Sequence, residues 1–289
     1  MTMLKRILCV ATVYLCSLNS VANIGSTPPS PHPNYSTELT ISSYNKRLPG
    51  LFYGAKGAGP HPTVILLHGY PGNEKNLDIA QGLRAAGWNV IFFHYRGAWG
   101  AEGEFSFMNA EADVTSVTKF LQQPTIREKY KIDTKNISYV GHSMGGHMAV
   151  AGITDNPEVN CAVVYDGANL GKVFAGDTPE IEAKWTEYGD RQFMLNGWSG
   201  SKAMAETRNY AKELNLLNRA AQIGKRPILF IPADSEVIPI IQIKELVAAM
   251  QSVEGNQVKY KLIKDDHSFN NSRAELLSVT RQFLDTYCR

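Results

Sequence analysis

Gly141-His142-Ser143-Met144-Gly145 follows an apolar run, Ile137 to Val140, and opens a helix-permissive run, Gly146 to Ala151. A strand that bends sharply into a helix, with a serine at the apex, holds that serine in a strained backbone conformation. Its hydroxyl is then pushed clear of the helix N-terminus. The residues two before and two after such an apex come close together, so only very small side chains fit, and here both are glycine. Backbone N–H groups at the helix start can stabilise negative charge nearby. Ser143 is therefore read as a nucleophile for acyl transfer, against the plainer alternative of an ordinary glycine-rich turn.

A serine hydroxyl is a poor nucleophile at neutral pH and needs a base within hydrogen-bond reach, itself oriented by a third group. Seven histidines compete for that role. His32 and His61 fall in proline-flanked loops, and His142 adjoins the serine on its turn. His147 lies one helical turn on and is expected to pack in a helix interface, while His94 ends a strand. His267 stands apart, in a polar turn from Lys264 to Phe269 between an apolar run, Val258 to Ile263, and the final helix. A loop there faces the same sheet edge as Ser143, so His267 is the expected base. The acid is expected on the loop after the preceding strand, Pro232-Ala233-Asp234-Ser235-Glu236-Val237-Ile238-Pro239. Asp234 is the expected acid and Glu236 its competitor, and either could instead cap the helix that follows. The chain order Ser143, Asp234, His267 suits a sheet of this type.

Acyl transfer also needs donors for the developing oxyanion, each commonly worth about 3 kcal/mol. One is expected to be the N–H of Met144, directly after the nucleophile. The other is expected from the loop His68-Gly69-Tyr70-Pro71-Gly72, through the main chain of Tyr70, although an ordinary Pro-Gly turn would read the same. No cluster of side chains has metal-ligand spacing, so neither metal nor cofactor is expected.

The elements that must hold these residues alternate in character. Glu38 to Ser42 and Leu48 to Tyr53 resemble paired antiparallel strands. From Thr63 onward, continuous apolar runs (63–67, 89–94, 136–140, 161–165, 227–231, 258–263) are separated by helical stretches. These stretches lie near residues 76–86, 110–122, after Ser143, 240–250 and 272–286. That rhythm predicts a mostly parallel sheet covered by helices on both faces, an α/β fold. Between Gly167 and Arg226 no strand is expected, and the segment carries Trp185, Tyr188, Phe193, Met194 and Trp198. It reads as a mainly helical insertion, about 167–226, over the carboxyl ends of the strands. Its aromatics either line a substrate pocket or hold the insertion to the body.

The chain has 289 residues, 44% of them hydrophobic, enough for a sizeable core. Lys5-Arg6, a short apolar stretch from Ile7 to Leu18, and Ser20-Val21-Ala22 form a signal-peptide pattern over residues 1–22, with cleavage near Ala22. Its apolar part is too short to span a bilayer. Residues 23–36 read as a proline-rich linker and 37–289 as the folded domain. The formal charge is +2, and losing Lys5 and Arg6 brings it to zero. Such balance supports no nucleic-acid partner and no stable membrane anchor. Export could join Cys161 to Cys288, but Cys161 sits in an apolar run and is expected to pack as a small hydrophobe.

These features together resemble the α/β-hydrolase fold over about Ser36 to Cys288. They are His68-Gly69 after one strand, Tyr95-Arg96-Gly97 after the next, the Gly-His-Ser-Met-Gly-Gly bend, Asp234, and His267-Ser268-Phe269. Within that superfamily the chain is similar to prolyl-oligopeptidase-like, dienelactone-hydrolase-like and S33-like members. The family pattern usually sets its acid four residues before the loop proline, whereas Asp234 stands five before Pro239, and this shift keeps Glu236 open. The resemblance implies a secreted or periplasmic serine hydrolase acting on carboxylic esters, or on short peptides as an exopeptidase or amidase. A hydrolase-like binding protein without catalysis is the remaining alternative.

Overall fold

The computed structural model of the chain describes residues 30–173, 178–223 and 225–289. The expected signal segment 1–22, with its cleavage near Ala22, and the start of the linker lie outside the described residues.

Two antiparallel strands, β1 (Tyr35–Ser43) and β2 (Lys46–Gly54), form one edge of an eight-stranded sheet. The others are β3 (His61–Leu67), β4 (Asn89–Phe93), β5 (Ile132–His142), β6 (Cys161–Tyr165), β7 (Pro227–Ile231) and β8 (Gln257–Tyr260). Their order is β1-β2-β4-β3-β5-β6-β7-β8, and every pair from β4 onward is parallel. The strand period of two divides the core. Ile65 and Leu67 pack on one face with α2 (Phe107–Gln122), α4 (Met144–Asp155) and α8 (Ile240–Gln251). Val64 and Leu66 pack on the other with α1 (Leu77–Ala85) and α9 (Arg273–Tyr287). Both faces are covered, so the central strands carry no polar side, and β4 is buried at all five positions.

Differences from the expected elements have identifiable causes. Helix α2 begins at Phe107 rather than near Ala110 because its first amides find acceptors. Ser106 accepts from Asn109 N–H, and the Glu206 carboxylate, from a distant helix, accepts from Phe107 and Met108 N–H. A short helix not expected, α3 (Pro124–Tyr130), starts with proline at its first turn, where a missing N–H costs nothing. The last strand ends at Tyr260, short of Ile263, though Ile263 N–H still reaches Pro232 O at 3.1 Å. Cys161 is buried as expected, yet it forms a disulfide with Cys288, whose Cα lies 5.7 Å away. That corrects the small-hydrophobe reading. Helix α9 packs on the α1 face and ends beside β6, a tertiary approach that no local pattern announces.

The segment between β6 and β7 contains α5 (Leu170–Val173), α6 (Pro179–Asp190), α7 (Gly200–Asn209) and a 3₁₀ turn, Leu216–Gln222. Among the described residues it holds no named strand. One isolated bridge, Leu195 to Ala98, ties it to the loop after β4. No helix among the described residues is long and apolar enough to cross a membrane.

Candidate active site

Ser143 stands between the end of β5 and the start of α4 with φ 58° and ψ −118°, in the left-handed region that an L-residue avoids. Its surroundings over-determine that conformation. Ser143 N–H donates to Tyr165 O at 2.9 Å, and its carbonyl accepts from Gly146 and Ala168 N–H at 2.9 and 3.0 Å. A methyl group on Gly141 would run into Gly145 O, and one on Gly145 into Leu67 O, so the bend tolerates neither.

Ser143, Met144, Tyr70 and His267 all line one cavity of about 410 Å³. The expected nucleophile, base and two oxyanion donors thus meet at the carboxyl ends of β3 and β5 and the loop after β8. Met144 opens α4, whose first amides lack an intrahelical acceptor. The peptide joining Gly69 to Tyr70 is oriented from the other side, since buried His68 donates from Nδ1 to Gly69 O at 2.8 Å. Burial first, then neighbouring His94, pushes the His68 pKa down to about 3, so it stays neutral. Tyr70 is further fixed by Trp198 Nε1, which donates to its phenol oxygen at 2.9 Å, and by Tyr188 OH, 3.4 Å from its carbonyl.

The acid is where the sequence expectation needs correction. His267 Nδ1 donates to Asp166 Oδ2 at 2.7 Å, and Asp166 is wholly buried directly after β6. Its carboxylate also accepts from Ala233 N–H at 3.1 Å and from Ser235 OH at 2.7 Å. Asp234, the expected acid, is exposed with φ 63°. The committed amide of Ala233 sets the loop so that the next side chain turns outward. Glu236 is exposed at the rim of the cavity. Ser235 stands four residues before Pro239, where the family pattern places its acid, and there it serves the carboxylate of Asp166 instead. Two signals pointed to this: the spacing that ran one residue long, and an aspartate immediately after a fully apolar strand.

The remaining histidines separate by environment. His147 is buried, as expected, in the α2–α4 interface, bonded through Nε2 to Glu111 at 2.8 Å. His142, beside Ser143, donates from Nε2 to His267 O at 2.7 Å. The insertion aromatics divide between the cavity and the body of the domain. Trp185 and Tyr188 line the cavity, Trp198 packs edge-on to Phe105 and Phe107 and fastens the insertion, and Phe193 is 91% exposed.

A serine at a strained strand–helix bend, with a carboxylate-oriented imidazole in the same cavity, brings together the parts acyl transfer needs. Sheet order and site define an α/β hydrolase of the serine-hydrolase type. The chain belongs to the BD-FAE family, whose model matches residues 50–254. Solved structures of the same fold include the Pyrococcus furiosus esterase Pf2001, at 20% identity and a TM-score of 0.65, covering 89% of this chain and 94% of that one. Est1E from Butyrivibrio proteoclasticus, solved with ferulic acid, matches at 14% identity and a TM-score of 0.69, covering 86% of this chain and 98% of that one. Pyrococcus horikoshii acylaminoacyl peptidase matches at 16% identity and a TM-score of 0.66, over 88% of this chain but only 42% of that one. No curated protein matches the chain in sequence.

Proposed function

We propose that the protein is an exported serine hydrolase that cleaves carboxylic esters through an acyl-enzyme. One observation carries this reading: the imidazole of His267, held by the buried Asp166, borders the cavity that Ser143 also lines. Ser143 Oγ attacks the ester carbonyl as His267 takes its proton. Main-chain N–H groups of Tyr70 and Met144 hold the oxyanion. The tetrahedral species collapses, His267 returns the proton to the departing alcohol, and water repeats the sequence on the acyl-enzyme. Asp166 keeps the imidazole in the tautomer with Nδ1 protonated and stabilises the cation that forms. The acyl group would rest among the apolar side chains of Leu170, Trp185 and Ile238.

Export is supported by the signal pattern of residues 1–22 and by the Cys161–Cys288 disulfide, which persists in oxidising compartments. N-terminal sequencing of protein recovered outside the cytoplasm should begin just after Ala22; a retained N-terminus would contradict it.

A second reading, an exopeptidase or amidase, draws on Glu187 and Glu236 at the cavity, which could receive a substrate amine. p-Nitrophenyl esters of several chain lengths, run beside aminoacyl and prolyl p-nitroanilides, distinguish the two. Ester turnover that Ser143→Ala abolishes supports the first reading. Turnover of anilides alone supports the second, and no Ser143-dependent turnover of either sinks both.

A further inference from the structure

His142 is the last residue of β5 and the immediate neighbour of Ser143, yet its side chain reaches across 125 positions of sequence to the loop that carries His267. A backbone carbonyl can only accept, so the 2.7 Å contact to His267 O places the imidazole proton on Nε2. Nδ1 is then a bare acceptor, buried, and among the described residues nothing bonds to it. A side chain serving only to fill space would not need a buried polar atom left unmatched. The two imidazole rings lie 4.7 Å apart, so the donor also packs against the group it anchors. Asp166 holds His267 at Nδ1 of its ring, and the loop to either side is tied by Asp265 N–H to Ala233 O at 3.0 Å and by Arg273 Nη1 to Ser268 O at 2.9 Å, but the bond on the His267 carbonyl itself comes from His142.

We propose that His142 is a positioning residue, fixing the backbone of His267 so that its imidazole stands in register with Ser143. The end of β5 then carries the anchor of the base one residue before the nucleophile, and the two cannot drift independently. Burial, and next the adjacent His267, lowers the His142 pKa to about 3, so the donor keeps its neutral form over the working range. The inference rests on the proposed roles of Ser143 and His267.

The test compares His142→Leu, which fills the volume without a donor, with His142→Gln, whose amide nitrogen sits the same number of bonds from the backbone as Nε2. Both are assayed on a p-nitrophenyl ester, with thermal unfolding alongside. Small misplacements at a reacting centre can cost about 10²-fold, so His142→Leu should lose about that in kcat. KM should stay within about twofold, since substrate contacts are untouched. His142→Gln should recover most of the lost kcat. Should the leucine variant not fold, His142→Asn, whose shorter amide falls short of the carbonyl, takes its place. A donor-free variant with wild-type kcat, or a glutamine variant as impaired as it, overturns the inference. Wild-type protein without Ser143-dependent turnover would instead overturn the reading on which it rests.

Discussion

Two histidine–carboxylate pairs lie among the described residues at nearly equal lengths, 2.7 Å for His267–Asp166 and 2.8 Å for His147–Glu111. Their surroundings separate them. His147 is fully buried, its Nδ1 accepts from Leu170 N–H at 3.3 Å, and Glu111 is also paired with Arg219 at 2.7 Å. Every polar atom of that imidazole is committed, so it can brace α2 against α4 but cannot exchange a proton with a ligand. His267 keeps a side chain 20% exposed to the cavity beside a strained serine, while its carboxylate is closed off. The hydrogen bond alone does not make a catalytic pair. What sets His267 apart is that it borders the cavity that Ser143 also lines.

Substitutions should divide along that line. Asp166→Asn should lower kcat by about 10⁴-fold, because the imidazole loses the partner that sets its tautomer. Its unfolding temperature should move little beside that loss, and steady-state kinetics with thermal denaturation would read both. A nearly unchanged kcat would break the comparison at its stronger end. Glu111→Ala should do the opposite: stability falls by about 1–3 kcal/mol, because His147 Nε2 is left buried without its acceptor while Arg219 keeps Asp155 at 3.1 Å. Activity per folded molecule should stay near wild type. Chemical denaturation measures the first and active-site titration the second.

Buried histidines with no carboxylate partner sharpen the contrast through pH. His68 and His142 have folded pKa values lowered to about 3, against 6.5 unfolded. Between those values the unfolded chain binds protons that the folded one refuses. Stability should therefore be complete above pH 6.5 and fall as pH drops toward 3, by about 1.4 kcal/mol per pH unit for each histidine. Denaturant titrations between pH 7 and 5 should show the slope, and His68→Gln should flatten it. The smallest effects belong to Asp234→Asn and Glu236→Gln, which should leave kcat near wild type. A large loss in either would return the acid to the β7 loop.

Much of this site was legible because its signals are local. The bend at Ser143 is written in glycines two residues to either side, and His267 in a polar turn between an apolar strand and a helix. The sheet was equally readable, with β6 and β7 matching their apolar runs end to end. What escaped depends on contacts between distant segments. Asp166 meets His267 across 101 positions, Cys161 meets Cys288 across 127, and Glu206 caps α2 from 99 residues away. The β7 loop offered two carboxylates, and neither joins the His267–Asp166 pair. The serine between them does, donating to an acid supplied by the adjacent strand.

The central claim is that Asp166, through His267, activates Ser143. Fluorophosphonate labelling measures it directly, with mass spectrometry locating the adduct on wild-type protein, Asp166→Asn and Asp234→Asn. The account predicts rapid labelling at Ser143 in wild type and Asp234→Asn, and labelling slowed by orders of magnitude in Asp166→Asn. Equal rates in wild type and Asp166→Asn, or an adduct on any residue other than Ser143, would contradict it.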